Sequence, residues 1–429
     1  MLTRRAFVAG GGAVLGALAM GSLGASCRRT DAAAGRSLAT LWFTYGGRNR
    51  EVLEQLVHRF NESQPEHTIH AVFQGDYFEG LAKLRTAIAA KAGPTLSHVI
   101  GEVIPYLARA GVLEPLEDYP GARELDVVPE LGQAGSWVGG ANHPLYALPF
   151  NRSTPIAYLN GALFEKAGLG PPTTWAELRE TARALTDRRA DRAPRYGFGC
   201  PVSWWFWVAL VGQAGGKVVE DDGTVSLGGD AGVEAIELWQ ALVGTDQSMK
   251  RPPGRDYNAW EATNQDFLAG RTAMIWTSTA FLKYLEQNAP FPVLAAPLPA
   301  FRRRAVPTGG THFVVLRDAS LEQKRTAWAF LRWMNEPAQV IAWATQTGYM
   351  PVTRSAIQKL ETDGYYRQNP NDRVAVDQLA VAAPWPWSAD LFRIQREVVQ
   401  PNLERAVLLG ADARQVLSEA RALARTDAT

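Results

Sequence analysis

Three tryptophans fall within four residues, at positions 204, 205 and 207. Neighbouring positions of a helix or a strand point in different directions, so one buried face cannot hold all three indoles. We therefore expect at least one of the three to face a cleft. A flat indole stacks on the apolar C–H face of a sugar or polyol while polar neighbours bind the hydroxyls. The competing interpretation is packing in the core or on a domain surface.

Polar and aromatic residues also follow predicted strands in the N-terminal part of the chain. Trp42 ends the first strand, Asp76 and Tyr77 follow the second, and Glu102 follows the third. In a parallel sheet, ligands sit beyond the carboxyl ends of the strands. We therefore expect these side chains at a ligand site, although a solvated loop carboxylate is an equally good interpretation of Glu102.

The elements that position these residues alternate between strands and helices. Apolar runs predict strands at 38–43, 68–73 and 96–100, and helical spacing predicts helices at 49–61, 79–91 and 104–110. This alternation indicates an α/β lobe with a mostly parallel sheet. A length of 429 residues allows a second domain.

Charge and motif content exclude several classes of protein. Lys and Arg total 44 against 43 Asp and Glu, so we expect no nucleic-acid partner. Gly46-Gly47-Arg48 lacks the Lys-Ser/Thr of a nucleotide-binding loop, and we interpret it as a ligand-facing loop. No G-x-S-x-G motif is present, and His67 and His70 lack a cysteine or carboxylate cluster. We expect no cofactor, no metal and no catalytic residue.

The alternative of a secreted glycoside hydrolase stays open at this point. It would need two carboxyl groups facing each other across the cleft, and Asp76 and Glu102 are the candidates.

The N-terminus reads as an export signal. Thr3-Arg4-Arg5 followed by a Gly- and Ala-rich run matches the twin-arginine pattern over residues 1–27, and a linker follows at 28–36. The residues before Cys27 resemble a lipoprotein cleavage box, so we expect lipid attachment there. The mature chain then lies in the periplasm or on the outer face of the cytoplasmic membrane. Cys200 alone remains, and we predict no disulfide.

Four motifs follow one another along nearly all of the mature chain. They are "PFNRSTP" with "LFEKAGL" and "PPTTWAEL" from Pro149, "DFLAGRTAMIWTS" from Asp266, "GGTHFVVL" from Gly309, and "TGYMPVTRSAI" from Thr347. In this order they resemble the substrate-binding proteins of ABC importers, in the carbohydrate-importer branch that includes the glycerol-3-phosphate-binding proteins.

The resemblance implies a two-lobed periplasmic-binding-protein fold with three interlobe crossovers and a ligand cleft. The first lobe is expected at 37–150 and 292–337, and the second at 151–291 and 338–429. The implied function is capture of a small solute by a monomer that delivers it to a permease. A receptor that reports a ligand through the same fold is not distinguished by the sequence.

The resemblance also implies ligand contacts. It places Tyr77, Glu102, Trp205, Ser278 and Tyr349 against the ligand, with Tyr349 as the most specific match. Gly309 and Gly310 permit close backbone approach. The full set of expected contacts is Trp42, Asp76, Tyr77, Glu102, Ser153, Trp204, Trp205, Ser278, Gly309, Gly310, Tyr349 and Trp387.

The chain departs from the glycerol-3-phosphate binders near its end. Those proteins carry a late arginine for the phosphate, whereas this chain reads Ala383-Pro384-Trp385-Pro386-Trp387-Ser388-Ala389, and Arg393 comes too late by simple counting. Tryptophans stiffened by proline suit a sugar face, and an arginine fork suits phosphate. We therefore expect a neutral carbohydrate or polyol. Arg393, Arg48 or Arg152 could still supply the charge, which keeps glycerol phosphate or a glycerophosphodiester as the alternative.

Overall fold

The computed structural model describes residues 35–132, 144–189, 193–220, 223–251, 256–383 and 385–426. The predicted export signal, Cys27 and Pro384 lie outside the described residues.

The strands are β1 (Ser37–Phe43), β2 (His67–Phe73), β3 (Leu96–Ile100), β4 (Ala147–Ser153), β5 (Pro155–Asn160), β6 (Tyr196–Gly199), β7 (Met249–Lys250), β8 (Thr272–Ser278), β9 (Val293–Ala296), β10 (Val306–Pro307), β11 (Gly309–Val315) and β12 (Ala382–Ala383).

The helices are α1 (Gly47–Ser63), α2 (Tyr77–Ala89), α3 (Ile104–Arg109), α4 (Pro129–Gly132), α5 (Gly161–Ala167), α6 (Trp175–Leu185), α7 (Trp204–Gln213), α8 (Gly229–Gln240), α9 (Asp256–Leu268), α10 (Leu282–Asn288), α11 (Leu321–Met334), α12 (Pro337–Thr347), α13 (Arg354–Thr362), α14 (Tyr365–Gln368), α15 (Pro370–Asp377), α16 (Leu391–Arg393), α17 (Gln400–Leu409) and α18 (Ala413–Thr426). Within the described part of the chain, no helix is long and apolar enough to span a bilayer.

Two five-stranded sheets organise the two α/β lobes. The first has the order β2-β1-β3-β11-β4 and the second β7-β6-β8-β5-β9. In each sheet two neighbouring pairs are parallel and two are antiparallel. Four strands of the first sheet run in the same direction, so the mostly parallel sheet predicted for the first lobe agrees with the structure. The exception is β11, which follows the return crossover and pairs antiparallel with both β3 and β4; the alternation of strands and helices could not reveal this reversal.

The strand pairings shift the predicted lobe boundaries. Asn151–Ser153 still belongs to β4 in the first sheet, so the chain crosses at Thr154. Val293–Ala296 pairs with β5 in the second sheet, so the return occurs near Thr308 rather than at residue 292. Trp343 and Tyr349, placed in the second lobe by the sequence, pack in the core cluster of the first sheet.

Each sheet buries an apolar core of its own. Phe43, Phe313 and Phe330 pack beside the first sheet, together with α1 and α11. Trp207, Trp239 and Trp276 are fully buried in the core of the second lobe.

The buried side chain of Arg152 ties the crossovers together. Its Nη2 donates to Thr308 Oγ1 at 2.7 Å and its Nη1 to the Gly310 carbonyl at 3.1 Å. Its own carbonyl accepts from the backbone N–H of Met350 at 2.9 Å. Hydrogen bonds of Arg152 thus hold together three segments of the chain, at 151–154, 308–310 and 350. Pro149 lies in β4, an edge strand, where a missing N–H is tolerated.

Gly310 makes this arrangement possible and provides a test of it. Its φ is +92°, and a Cβ would lie 1.8 Å from the Asn151 carbonyl oxygen. We expect Gly310→Ala to lower the free energy of unfolding by at least about 2 kcal/mol, since strain and backbone displacement add. Gly170→Ala is the matched control because no atom lies within 4 Å of its Cβ position, and its change should stay within about 0.5 kcal/mol. Equal denaturation midpoints for the two variants would contradict this account.

Candidate functional site

A cavity of about 590 Å³ is lined by residues of both sheets and of the crossovers. Its size lies in the range of small-molecule sites, about 300–1,000 Å³. Ten of the twelve predicted contacts line it: Asp76, Tyr77, Glu102, Ser153, Trp204, Trp205, Ser278, Gly309, Gly310 and Tyr349. The structure thus brings them together, and their contact with a ligand stays a prediction.

Trp42 and Trp387 do not line the cavity. Both pack against the apolar cluster of Leu84, Val99 and Ile104 on the other face of the first sheet. In β1 the side chains alternate, so Leu41 and Phe43 join one cluster while Trp42 points to the opposite one. The cavity begins beyond the strand end, at Thr44 and Tyr45.

Trp385, rather than Trp387, lies near the site. Its ring meets Trp204 edge-on with centroids 5.3 Å apart, and its Nε1 donates to the Thr308 carbonyl at 2.8 Å.

Helix α7 builds the aromatic wall. Ser203 caps it by accepting from the backbone N–H of Trp205. The Trp205 Nε1 then donates to the Thr308 carbonyl at 3.3 Å, so this indole is fixed to a crossover. Trp207 points into the core and donates to the Gly232 carbonyl. The prediction that at least one tryptophan of this run faces a cleft agrees with the structure, since Trp204 and Trp205 both line the cavity.

Gly309 explains how the backbone approaches this wall. A Cβ there would lie 2.7 Å from the Trp205 ring. The crossover and the indole are therefore in direct contact only because the residue is glycine.

Trp260 and Phe281 extend the wall and were not predicted. Trp260, on α9, packs 5.5 Å from Trp205 and 5.0 Å from Phe206 between ring centroids. Phe281 lies 6.5 Å from Trp260. No local signal marks Trp260, because it lies on α9 six residues before the motif that begins at Asp266.

A tyrosine pair forms another part of the wall. The hydroxyls of Tyr77 and Tyr349 lie 3.4 Å apart, and Asn151 Nδ2 donates to the Tyr77 hydroxyl at 3.2 Å. Tyr349 stacks on Trp343 with ring planes 12° apart. Burial raises the pKa of both hydroxyls, so they stay neutral dipoles.

Tyr45 is a further lining residue that sequence reasoning passed over, although it lies between Trp42 and the loop that begins at Gly46. It stacks on His98 at 5.5 Å. Burial lowers the pKa of His98 to about 3, so this ring brings no positive charge to the cavity.

The acidic residues of the lining differ in their surroundings. Asp76 accepts from the backbone N–H groups of Phe78 and Glu79, and Glu79 accepts from the N–H of Asp76. This capping box gives both carboxylates a structural role. Ser278 likewise accepts from the Ala280 N–H as a cap.

Glu102 is the buried acid of the site, with 5% of its surface exposed. Burial raises the pKa of its carboxyl to about 7, although its own backbone N–H and the charge of Arg152 lower it. Desolvation therefore outweighs the attraction of a nearby guanidinium.

Within the described residues, no lysine, arginine or histidine lines the cavity. The Arg48 guanidinium contacts Glu51 and Gln346. Arg152 is buried at the crossover, and Arg393 lies on α16, which packs against the turn that carries Glu102; neither is a lining residue. The three arginines considered for a phosphate are thus not placed in the cavity.

Two residues considered for a hydrolase or a metal site, Asp76 and His67, make structural contacts in the fold. Asp76, one member of the carboxyl pair considered for glycoside hydrolysis, is engaged in the helix cap. His67 approaches Thr326 Oγ1 at 3.0 Å. Among the described residues no cluster of His, Cys, Asp and Glu could hold a metal ion.

Comparison with known proteins gives three kinds of match. The family model described as bacterial extracellular solute-binding protein matches residues 55–371. The chain is 25% identical over 368 residues to the sn-glycerol-3-phosphate-binding periplasmic protein UgpB of Yersinia pseudotuberculosis, covering 82% of each protein.

Two solved structures share the fold. UgpB from Mycobacterium tuberculosis in complex with glycerophosphocholine is 25% identical, with a TM-score of 0.79 over 91% of this chain and 98% of that one. Maltose-bound MalE3 from T. maritima is 19% identical, with a TM-score of 0.78 over 90% of this chain and 99% of that one. The two-lobed α/β fold expected from the sequence is confirmed.

The raised pKa of Glu102 predicts a pH dependence of stability. The folded state holds the proton up to about pH 7, whereas a carboxyl with the ordinary pKa of 4.5 releases it earlier. Folding therefore binds a proton in this window, and stability falls as the pH rises through it. We expect Glu102→Gln to gain stability relative to the parent between pH 4.5 and 7, by about 3 kcal/mol at pH 7 and above.

Urea denaturation at several pH values measures this difference. Glu322→Gln, an exposed acid of the same lobe outside the cavity, is the control and should show no such pH dependence. A constant offset between Glu102→Gln and the parent at all pH values would show that Glu102 has an ordinary pKa.

Proposed function

Because the chain belongs to the bacterial extracellular solute-binding protein family, we propose that it captures a carbohydrate or polyol in its cleft and delivers it to the permease. Its class is that of the extracytoplasmic substrate-binding component of an ABC importer. The ligand class is the part that we infer from the site.

One observation carries this inference. Aromatic faces and oxygen-bearing side chains from both lobes line the cavity, and no cationic side chain does among the described residues. Indole faces stack on the C–H faces of sugars, while side-chain hydroxyls donate to or accept from the ligand hydroxyls and carboxylates accept from them. A buried ligand hydroxyl needs such partners because leaving it unsatisfied costs about 1–3 kcal/mol.

Capture follows from the position of the cavity. Tyr77 and Glu102 come from the first lobe, and Trp204 and Trp260 from the second. A ligand that contacts both sets stabilises the closed state over the open one, and the population shifts accordingly. No chemical step is required, and the proposal assigns no catalytic residue.

A glycerophosphodiester or sn-glycerol 3-phosphate is the second candidate. Relatives with 25% identity carry such ligands in their names. Gly46, at the N-terminus of the 17-residue helix α1, also lines the cavity. Helix N-termini favour anions through free N–H groups and the helix dipole.

We also propose that the chain is exported by the twin-arginine route, carries a lipid anchor at Cys27 and works as a monomer. The support is the sequence pattern of residues 1–27. In a bacterial host, the full chain should fractionate with membranes and Cys27→Ser should be released into the soluble extracytoplasmic fraction. Membrane retention of the variant would exclude the anchor.

A ligand panel tests the ligand class. The chain from residue 36 onward is heated with neutral disaccharides, amino sugars, polyols, sn-glycerol 3-phosphate and glycerophosphocholine. A ligand at about a hundredfold excess over its dissociation constant adds about 2.7 kcal/mol to the free energy of unfolding. We expect a shift with a sugar or polyol. A shift with the phosphate compounds alone would select the second candidate.

A pair of tyrosine variants shows whether a hit occupies this cavity. Tyr349→Phe removes a hydroxyl of the lining, and the affinity should fall about tenfold, in keeping with a lost hydrogen bond of about 1.4 kcal/mol. Tyr158→Phe is matched to it, because this buried hydroxyl points instead to the Ser278 carbonyl at 3.3 Å and does not line the cavity. Equal affinities for the two variants would place the ligand elsewhere.

A further inference from the structure

The carboxyl group of Glu102 is the feature of the cavity that neither helix capping nor the core accounts for. It lies at the start of the turn that follows β3, with 5% of the residue exposed, and it borders the cavity. Asp76 and Glu79, the other two acids of the lining, complete a capping box instead.

The nearest source of positive charge is engaged elsewhere. Both Nη atoms of Arg152 donate to neutral acceptors at the crossover, Thr308 Oγ1 and the Gly310 carbonyl. Neither salt bridge nor hydrogen bond links its guanidinium to Glu102, and the attraction between them is too weak to hold the pKa of Glu102 at its ordinary value. The ionised form of this carboxyl therefore lacks a close counter-charge in the described part of the chain.

The rest of the cavity lining also favours a positively charged ligand group. Three acids and no cationic side chain border the cavity in the described residues. The tyrosine hydroxyls beside Glu102 stay neutral, since burial raises the pKa of Tyr45, Tyr77 and Tyr349. The faces of Trp204, Trp205 and the other aromatic residues carry negative quadrupole potential, which attracts cations.

We propose that the cavity selects a saccharide or polyol that carries a protonated amine, and that Glu102 binds this amine. The inference rests on the proposed capture of a sugar or polyol and names the chemical class within it. An ammonium group supplies both the counter-charge and the N–H donors that a buried carboxylate requires. A hydroxyl supplies only a donor. A quaternary ammonium group supplies only the charge, because it has no N–H.

Matched ligand pairs test this selectivity. Calorimetry at pH 7.5 compares glucose with glucosamine, galactose with galactosamine, and cellobiose with the fully deacetylated chitosan dimer. We expect the amino member of the pair that binds to be favoured by about tenfold or more, the size of one charge-assisted hydrogen bond. The N-acetylated analogues, which keep the shape and lose the charge, should bind no better than the neutral sugars.

Variants then locate the selectivity. Glu102→Gln keeps the volume and a hydrogen-bonding side chain but removes the charge, so the ratio of amino to neutral affinity should fall to about one, whatever the change in the affinity for the neutral sugar. Glu322→Gln is the control for the loss of one acid on the same lobe, and it should keep the parent ratio. Unchanged circular dichroism and a single cooperative thermal transition at the pH of the titration show that each variant is folded, and the midpoint of Glu102→Gln is expected above that of the parent.

The outcomes separate the two proposals. Equal or tighter binding of the neutral member in the parent protein overturns the amine inference and leaves sugar capture standing. A preference that persists in Glu102→Gln overturns the role of Glu102. Binding of glycerophosphocholine alone, with none of the sugar pairs bound, overturns the amine inference and sugar capture together. No binding by any of these compounds has the same consequence.

Discussion

The structure depends on one buried cation at the place where the chain changes lobes. Arg152 sits without solvent contact, and taking a guanidinium out of water costs several kcal/mol unless its hydrogen-bonding groups find partners. Two of those partners, Thr308 and Gly310, belong to the return crossover, and the Arg152 carbonyl binds the backbone near Met350. The need to satisfy one arginine thus brings three distant stretches of sequence to the same point. The cavity forms around that point because residues next to each stretch, such as Ser153, line it.

The protonation states of the cavity side chains depend more on burial than on attraction between individual charges. Glu102 lies close enough to Arg152 for their charges to interact, yet its pKa is raised to about 7. For an ordinary surface pair the attraction would lower the pKa of the acid. Here the loss of hydration is the larger effect, and the same loss of hydration keeps Tyr77 and Tyr349 neutral. A site of this kind presents dipoles, π faces and one carboxyl that lacks a close counter-charge. It is suited to solutes rich in hydroxyl and N–H donors, and among its described residues it offers no positively charged side chain to a phosphate.

Local patterns predicted the elements well, and they failed where distant segments meet. Strand β3 matches its predicted bounds, and the strand ends directed attention to Tyr77 and Glu102, because periodicity and the topology of α/β sheets are properties of short stretches. Trp42 was assigned to the site from its position at a strand end, but the alternation of side chains turns it to the other face of the sheet. Trp260 could not be found, since its place beside Trp205 depends on how α9 packs on the second sheet. The reversed strand of each sheet, β11 in the first and β5 in the second, pairs with strands that lie more than a hundred residues away in the sequence, and no local pattern could indicate those partners.

The aromatic wall is not only a property of the second lobe. Trp205 and Trp385 both donate their indole N–H to the Thr308 carbonyl, which lies on the crossover. The crossover backbone at Thr308 therefore sets the orientation of the surface on which a ligand would stack at Trp205. Glu102 borders the same cavity from the first lobe. Binding can favour closure only through contacts that differ between the open and closed states. Stacking on Trp205 alone would serve both states nearly equally. In the proposed complex, a contact with Glu102 is among those that require the lobes to approach, so selectivity for the ligand group at Glu102 and the drive to close would be two consequences of the same interaction.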